Sequence, residues 1–214
     1  MNLRKSLSTI LFLVLFVGVA TCGSKVFAQS PSSQSDKQID EINLDTQLYL
    51  LVGTNQAGDE AKLPPALDPV IKQLRMSLPF KNYRLAATLL NRVKNEGRLS
   101  LKWIGGPLVP SGAVSDTTPS FNEFKIVAVK MVQDSGGRQL VRMEGFGFGV
   151  RIPIIASSAV ASTAPMGSVI NYESTGLNTD ISMREGEPVV VGTLNIGPSG
   201  DAIILVMSAK RTEK

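Results

Sequence analysis

The side chains best suited to chemistry in this sequence are five basic residues that lie close together in the chain. They are Arg84, Arg92, Lys94, Arg98 and Lys102. Alternation with apolar residues on both sides of Asn95–Gly97 predicts that they share the polar face of a hairpin from Tyr83 to Ile104. Such a face could bind an anionic partner, either a membrane surface or an acidic protein. The other interpretation, the solvated face of a sheet, is commoner for charged strands.

Catalytic chemistry is restricted by the residue types that the sequence lacks. It contains no histidine and one cysteine, Cys22. An imidazole general base, a Ser-His-Asp or Cys-His arrangement and a His-ligated zinc site are therefore excluded. Carboxylate, lysine and tyrosine chemistry remain, but no nucleophile with a base partner can be identified. The sequence predicts a protein that is not an enzyme, with no catalytic residue, metal or cofactor.

Glycine alternates with phenylalanine in the run Gly145–Gly149. A phosphate-binding loop would need a helix directly after the glycines, and no helix is indicated there. We expect a strand in which the side chains of Phe146 and Phe148 occupy one face. The glycines clear the other face for the close approach of another backbone or sheet.

Residues 1–28 have the pattern of an export signal. Arg4 and Lys5 precede an apolar run that is too short to span a bilayer, and a small-residue cleavage site ends at Ala28. Lipidation of Cys22 is a second interpretation, but Thr21 before it fits less well than Gly, Ala or Ser. Residues 29–38 are expected to form a disordered spacer, followed by a single domain over residues 39–211. The predicted location is the periplasm or the cell envelope.

Charge gives little reason to expect a nucleic-acid partner. Cleavage after Ala28 removes Arg4, Lys5 and Lys25 and no acidic residue, which leaves 19 basic and 18 acidic side chains and a net charge of +1. Cys22 is removed as well, so the mature chain cannot rely on disulfides. A composition that is 43% hydrophobic makes a sizeable core feasible.

One amphipathic helix is predicted between Leu63 and Phe80, with Asp68 as its N-cap. Its apolar positions recur on one face, which should pack on a sheet. These positions are Leu67, Val70, Ile71, Leu74 and Leu78. A packed core beneath this face would favour an interaction protein, whereas a pocket would favour a ligand-binding protein.

The C-terminal part reads as three strands joined by two turns. Residues 177–184 alternate between apolar and polar, and the turn at Glu185-Gly186 is expected to close a hairpin with both Glu185 and Glu187 exposed. Pro188–Leu194 and Ala202–Met207 are continuously apolar, so we expect both of these strands to lie centrally in a sheet. Gly186 and Gly200 are the residues expected to adopt positive φ.

Two segments resemble known proteins. Residues 63–85 and 185–210 are similar to segments of exported bacterial proteins of no established activity. The second segment also resembles the strand-turn-strand segment of secretins of type II and type III secretion systems. The matching residues are Glu185, Gly186, Glu187, Val189, Val190, Val191 and Gly192.

These observations predict an α+β fold, a mostly antiparallel β-sheet of six to eight strands with one amphipathic helix packed on it. The secretin resemblance implies a non-enzymatic assembly or interaction component of the envelope, whose partner is another envelope protein. Association with a membrane surface through the basic face stays open. The alternative function is binding of a small apolar or lipid ligand between helix and sheet.

Overall fold

A computed structural model describes residues 42–56, 62–106, 108, 118–156, 169–196 and 200–212. Its strands are β1 (Asn43–Thr54), β2 (Asn82–Lys94), β3 (Leu99–Gly105), β4 (Ser120–Ile126), β5 (Ala128–Gln133), β6 (Gln139–Ala156), β7 (Val169–Arg184), β8 (Val189–Ile196) and β9 (Asp201–Arg211). A 3-10 turn, Pro65–Leu67, leads into the helix α1 (Asp68–Ser77). The predicted export signal and spacer, residues 1–38, lie outside the described residues.

The strands form two antiparallel sheets. The first sheet has the order β2-β1-β9-β8. The second sheet is built on the long strand β6, which pairs with β7 along one edge and with β4 and β5 along the other; β3 lies beyond β4. The predicted α+β class, mostly antiparallel sheet with one helix, is confirmed.

The main core lies between the two sheets and follows from the period-2 alternation of the strands. Leu48 and Leu50 of the first sheet belong to the same buried cluster as Phe124 and Phe146 of the second. The rings of Phe124 and Phe146 lie 5.3 Å apart between their centroids. Phe146 and Phe148 are buried as predicted, so the alternating glycines of β6 face away from this core.

A second, smaller core lies between the first sheet and α1. Leu67, Val70, Ile71 and Leu74 are buried in one cluster with side chains of β1, β2 and β9, which confirms the predicted apolar face of the helix. The predicted N-cap is wrong. Leu67 occupies the N-cap position without a side-chain hydrogen bond, and Asp68 is the first helical residue. Leu67 already has right-handed helical backbone angles, and the Asp68 carboxylate lies in the first turn, where its charge is favourable to the helix dipole.

The hairpin predicted from Tyr83 to Ile104 is wrong, because β2 pairs with β1 and β3 pairs with β4. The link between β2 and β3 instead crosses from one sheet to the other. Its backbone bonds to β5: the Glu96 N–H donates to the Val129 carbonyl, and the Val129 N–H donates to Gly97. Positive φ occurs at Glu96 (64°) rather than at Gly97. The sequence Asn95–Gly97 therefore predicts a turn correctly. The backbone polar groups of this turn, however, bond to the distant strand β5 and not to a hairpin partner.

The C-terminal strands are partly as predicted. In β9, residues 201–207 are all buried, as expected of a central strand. The central position predicted for β8 is wrong, because among the described strands β8 lies at the edge of the first sheet, beside β9. Gly186 and Gly200 have the expected positive φ, 79° and 75°. The turn at Glu185-Gly186 does not close a hairpin, since β7 belongs to the second sheet. The turn connects β7 of the second sheet to β8 of the first. The Gly186 N–H donates to the Ala209 carbonyl of β9, so the turn is bonded to the first sheet.

Glu185 is not the exposed side chain that the sequence suggests. Its carboxylate accepts hydrogen bonds from the backbone N–H of Arg211 at 2.9 Å and from the guanidinium of Arg211 at 3.1 Å. These bonds, the guanidinium first, hold the pKa of Glu185 below its usual value. Glu187, by contrast, lies 3.6 Å from Arg184 with both side chains 60% exposed.

We therefore expect Glu185→Gln to destabilise the fold by roughly 1 kcal/mol at neutral pH, discounted for solvent exposure. Because the folded-state pKa is lowered, this contribution is fully present above the ordinary pKa of about 4.3 and is lost as the pH falls through the lowered value. Urea unfolding across this range measures it. Glu187→Gln is the control and should change little; equal effects of the two substitutions would contradict the assignment.

Candidate interaction surface

Arg84, Arg92 and Lys94 all lie on β2, but the strand does not present them on one face. Ala86 is an extra residue at a register shift between β1 and β2, and it reverses the side-chain alternation before it. Arg92 and Lys94 therefore project from the outer face of the first sheet. Arg84 lies opposite Val52, on the face toward the second sheet.

Arg84 is half-buried and acts within the fold. Its Nη2 donates to the carbonyl of Leu108 at 3.1 Å. Burial lowers the pKa of its guanidinium, an effect that the charge of the buried Asp201 partly offsets. Arg84 thus binds the backbone of Leu108 within the fold and is only partly available at the surface.

The remaining basic residues are distributed over several elements. Arg92 donates from Nε to Asp45 at 2.8 Å, and this hydrogen bond lowers the pKa of the Asp45 carboxyl. Arg98 is exposed in the link between the sheets. Lys102 lies on the outer face of the second sheet, 3.6 Å from Glu123. The structure does not bring the five residues together, because their predicted common hairpin does not exist.

The outer face of the second sheet carries an apolar and aromatic patch instead. Ile104 of β3 is 70% exposed, and its register partner Phe121 of β4 is 40% exposed. The Phe121 ring lies 5.4 Å from that of Tyr172 on β7, between centroids. Arg151 of β6 is the register partner of Phe121 and places its guanidinium 5.8 Å from the centre of the Tyr172 ring. We call these four residues the aromatic patch.

A glycine-floored trough adjoins the aromatic patch. Gly149 of β6 and Gly176 of β7 are register partners, so two neighbouring strands lack a side chain there. A Cβ atom at Gly149 would meet nothing within 4 Å. At Gly147 the Lys125 and Asn178 side chains already fill this space, at 2.6 and 2.8 Å from such an atom. The trough has a volume of about 510 Å³ and is bordered by Ile104, Phe121 and Arg151.

The sequence predicts the glycine-cleared face of β6 but not the aromatic patch. The patch combines four strands, and Ile104 and Tyr172 are far apart in the chain. A weak signal exists in β4, where Phe121 shares the exposed face with Glu123 and Lys125 instead of the buried face with Phe124. The described residues contain no cluster of acidic or other ligating side chains arranged for a metal ion. No helix among them is long and apolar enough to cross a membrane.

Comparisons with known proteins found similarity only at the level of solved structures. No family model matches the sequence, and no curated protein matches it. The secretin domain of InvG from the Salmonella SPI-1 injectisome matches with 9% identity and a TM-score of 0.34, over 81% of this chain and 64% of that one. The type II secretin GspD from enteropathogenic Escherichia coli matches with 10% identity and a TM-score of 0.35, over 81% and 67%.

PulD, from the Klebsiella pneumoniae type II secretion system outer membrane complex, matches with 14% identity and a TM-score of 0.31, over 81% of this chain and 39% of PulD. This chain therefore spans less than two thirds of the InvG domain and of PulD.

Proposed function

We propose that this protein is a non-enzymatic interaction component of the cell envelope, and that it binds a partner protein through the aromatic patch and the adjoining trough. The observation that carries the proposal is the aromatic patch on the outer face of the second sheet, in which Ile104, Phe121 and Arg151 are exposed and Tyr172 is partly buried. Aromatic residues and arginine are the types that dominate the centres of protein interfaces.

The composition of the patch defines the chemistry of the partner. Ile104 and the Phe121 ring offer apolar surface beside a trough in which Gly149 leaves room for an inserted side chain. Arg151 adds a positive charge next to this apolar surface. The partner should therefore present an apolar side chain with a carboxylate close to it, so that one fills the trough and the other pairs with Arg151.

The packing beneath α1 does not favour the alternative of a ligand held between helix and sheet. Leu67 and Leu74 are 0% and 3% exposed, and they belong to one buried cluster with Leu51 and Ile204, which are also fully buried. This packed cluster favours an interaction protein over a ligand held at that position. The envelope location rests on the export-signal pattern of residues 1–28 and on the secretin resemblance of the C-terminal segment.

Photo-crosslinking in living cells tests the proposal. Ile104 is replaced by benzoylphenylalanine, with Leu90 as the matched control, because Leu90 is equally exposed at 71% but lies on β2 of the first sheet. We expect position 104, and not position 90, to give one dominant crosslinked protein. Gly149→Val should remove this crosslink without lowering the melting temperature, since its Cβ position is open in the fold.

Two results would contradict the proposal. One is an identical crosslinking pattern from positions 90 and 104. The other is a crosslink that survives either Gly149→Val or Phe121→Ala. Either would mean that the trough and patch do not form the contact.

A further inference from the structure

The aromatic patch and the trough lie on neighbouring strands that present complementary side chains. On β4, Phe121 and Glu123 are two residues apart and share the outer face of the sheet. Phe121 is 40% exposed, and the Glu123 side chain is 47% exposed. The strand β4 therefore offers an apolar ring with a carboxylate beside it, which is the pair of groups that the proposed function requires of a partner.

The adjacent strand β6 presents the groups that bind such a pair. Arg151 is the register partner of Phe121, and Gly149, on the floor of the trough, is the register partner of Glu123. The Arg151 guanidinium lies 5.8 Å from the centre of the Tyr172 ring, a contact that leaves N–H donors for a carboxylate. A Cβ atom at Gly149 would meet nothing within 4 Å, so the floor has room for a side chain from another molecule.

We propose that the partner bound at this face is a second copy of the chain, in a two-fold symmetric dimer in which Arg151 of each copy pairs with Glu123 of the other. This inference rests on the proposed function, because it names the occupant of the same site. The groups on β4 and the groups on β6 that bind them are register partners. A two-fold axis that runs along the strands between β4 and β6 therefore exchanges the two sets.

This axis places β4 of each copy over β6 of the other. Sheets that pack face to face lie about 10 Å apart with nearly aligned strands, a distance that side chains from the two faces fill. Phe121 then lies over Arg151 of the second copy. Glu123 lies over the trough at Gly149 of that copy, where its carboxylate reaches the same guanidinium. Each contact occurs twice in the dimer.

The Lys102 side chain does not prevent this pairing. Its Nζ lies 3.6 Å from the Glu123 carboxylate, but the two side chains are 75% and 47% exposed. An exposed ion pair of this kind contributes little to stability. A carboxylate also has two oxygens, so Glu123 can accept hydrogen bonds from Lys102 and from Arg151 of the second copy together.

Sedimentation equilibrium of the whole chain, from low micromolar to several hundred micromolar concentration, tests the proposal. The face is four strands wide, about 14 Å, so we expect a reversible dimer rather than a permanent one. Arg151→Glu alone and Glu123→Arg alone should each weaken dimerisation by at least about tenfold. The reason is that either reversal places like charges opposite one another twice in the dimer.

The two reversals combined make the test specific. An equimolar mixture of Arg151→Glu chains and Glu123→Arg chains should regain the dimer as a mixed pair, because both facing pairs then have opposite charges again. The double variant Arg151→Glu/Glu123→Arg should regain the dimer for the same reason. Arg98→Glu and Glu187→Arg, which reverse exposed charges outside this face, are the matched controls and should dimerise like the wild type.

Three results would overturn the inference: a chain that stays monomeric at every concentration, a single reversal that dimerises like the wild type, or a mixture that does not regain the dimer. The crosslink from position 104 distinguishes this failure from failure of the proposed function. A crosslinked product that contains only this chain, at twice its mass, supports both. A crosslink to a different protein, from a chain that stays monomeric, overturns the inference and leaves the proposed function standing.

Discussion

Leu74→Ala is expected to lower the free energy of unfolding by about 2–5 kcal/mol, through lost apolar burial and the cavity that remains. Leu74 is 3% exposed at the centre of the helix face, in one cluster with Tyr49, Leu51 and Val206. The neighbouring layer cannot collapse freely onto the cavity, because β1 and β9 are also held by the core between the sheets. Urea unfolding with an unchanged m-value measures the loss.

Met76→Ala is the matched control, since it removes an apolar side chain of similar size two residues further along α1. Met76 is 75% exposed, so this substitution should change stability by no more than about 0.5 kcal/mol. Equal urea midpoints for the two variants would show that α1 does not pack through the face that contains Leu74. A large loss for Met76→Ala would place that residue in a contact.

Local periodicity predicted those features that depend on local geometry. The 3.6-residue spacing of Val70, Ile71 and Leu74 identified the buried side of α1, since a helix fixes which of its residues share a face. The alternation in residues 177–184 likewise gave the correct faces of β7, in which Met183 is buried and Arg184 is exposed. Each of these two patterns depends on residues of a single helix or strand.

Pairing of the strands could not be predicted, because it depends on distant groups. The turns at Asn95–Gly97 and Glu185-Gly186 have ordinary hairpin sequences, yet each crosses between the sheets. The first is bound by Val129 of β5 and the second by Ala209 of β9. Ala86 is an extra residue in β2, and because of it Arg84 lies on the opposite face of the sheet from Arg92. The local sequence does not indicate this register shift.

The candidate site could likewise be predicted only in part, because its composition depends on how the strands pair. The glycine-cleared face of β6 was visible in the sequence, because Gly147 and Gly149 alternate with phenylalanine. The position of Ile104 beside Phe121, and of Phe121 beside Tyr172, follows only from the order β3-β4-β6-β7. The five basic residues appeared to form one surface only while β2 and β3 were treated as partners.

Substitutions of two phenylalanines of β4, Phe121 and Phe124, test the role of the second sheet in folding separately from its role in binding. Phe124 is fully buried between the sheets, with its ring 5.3 Å from Phe146, whereas Phe121 is 40% exposed on the outer face. Phe124→Ala should destabilise the protein by about 3–5 kcal/mol. Phe121→Ala loses mainly the ring contact with Tyr172 and should cost about 0.5–1.5 kcal/mol.

The effects on partner binding should be reversed. Phe121→Ala should abolish the crosslink from position 104 in a protein that remains folded at growth temperature, because the ring forms the wall of the trough. Phe124→Ala should reduce the crosslink only in proportion to the fraction of unfolded protein, measured by thermal unfolding of the same sample. If Phe121→Ala kept full crosslinking, or if both variants lost it in proportion to their stability, the outer face would serve only to cover the core. A loss confined to Phe121→Ala would assign this face to binding, since the stability of the sheet depends on the opposite side.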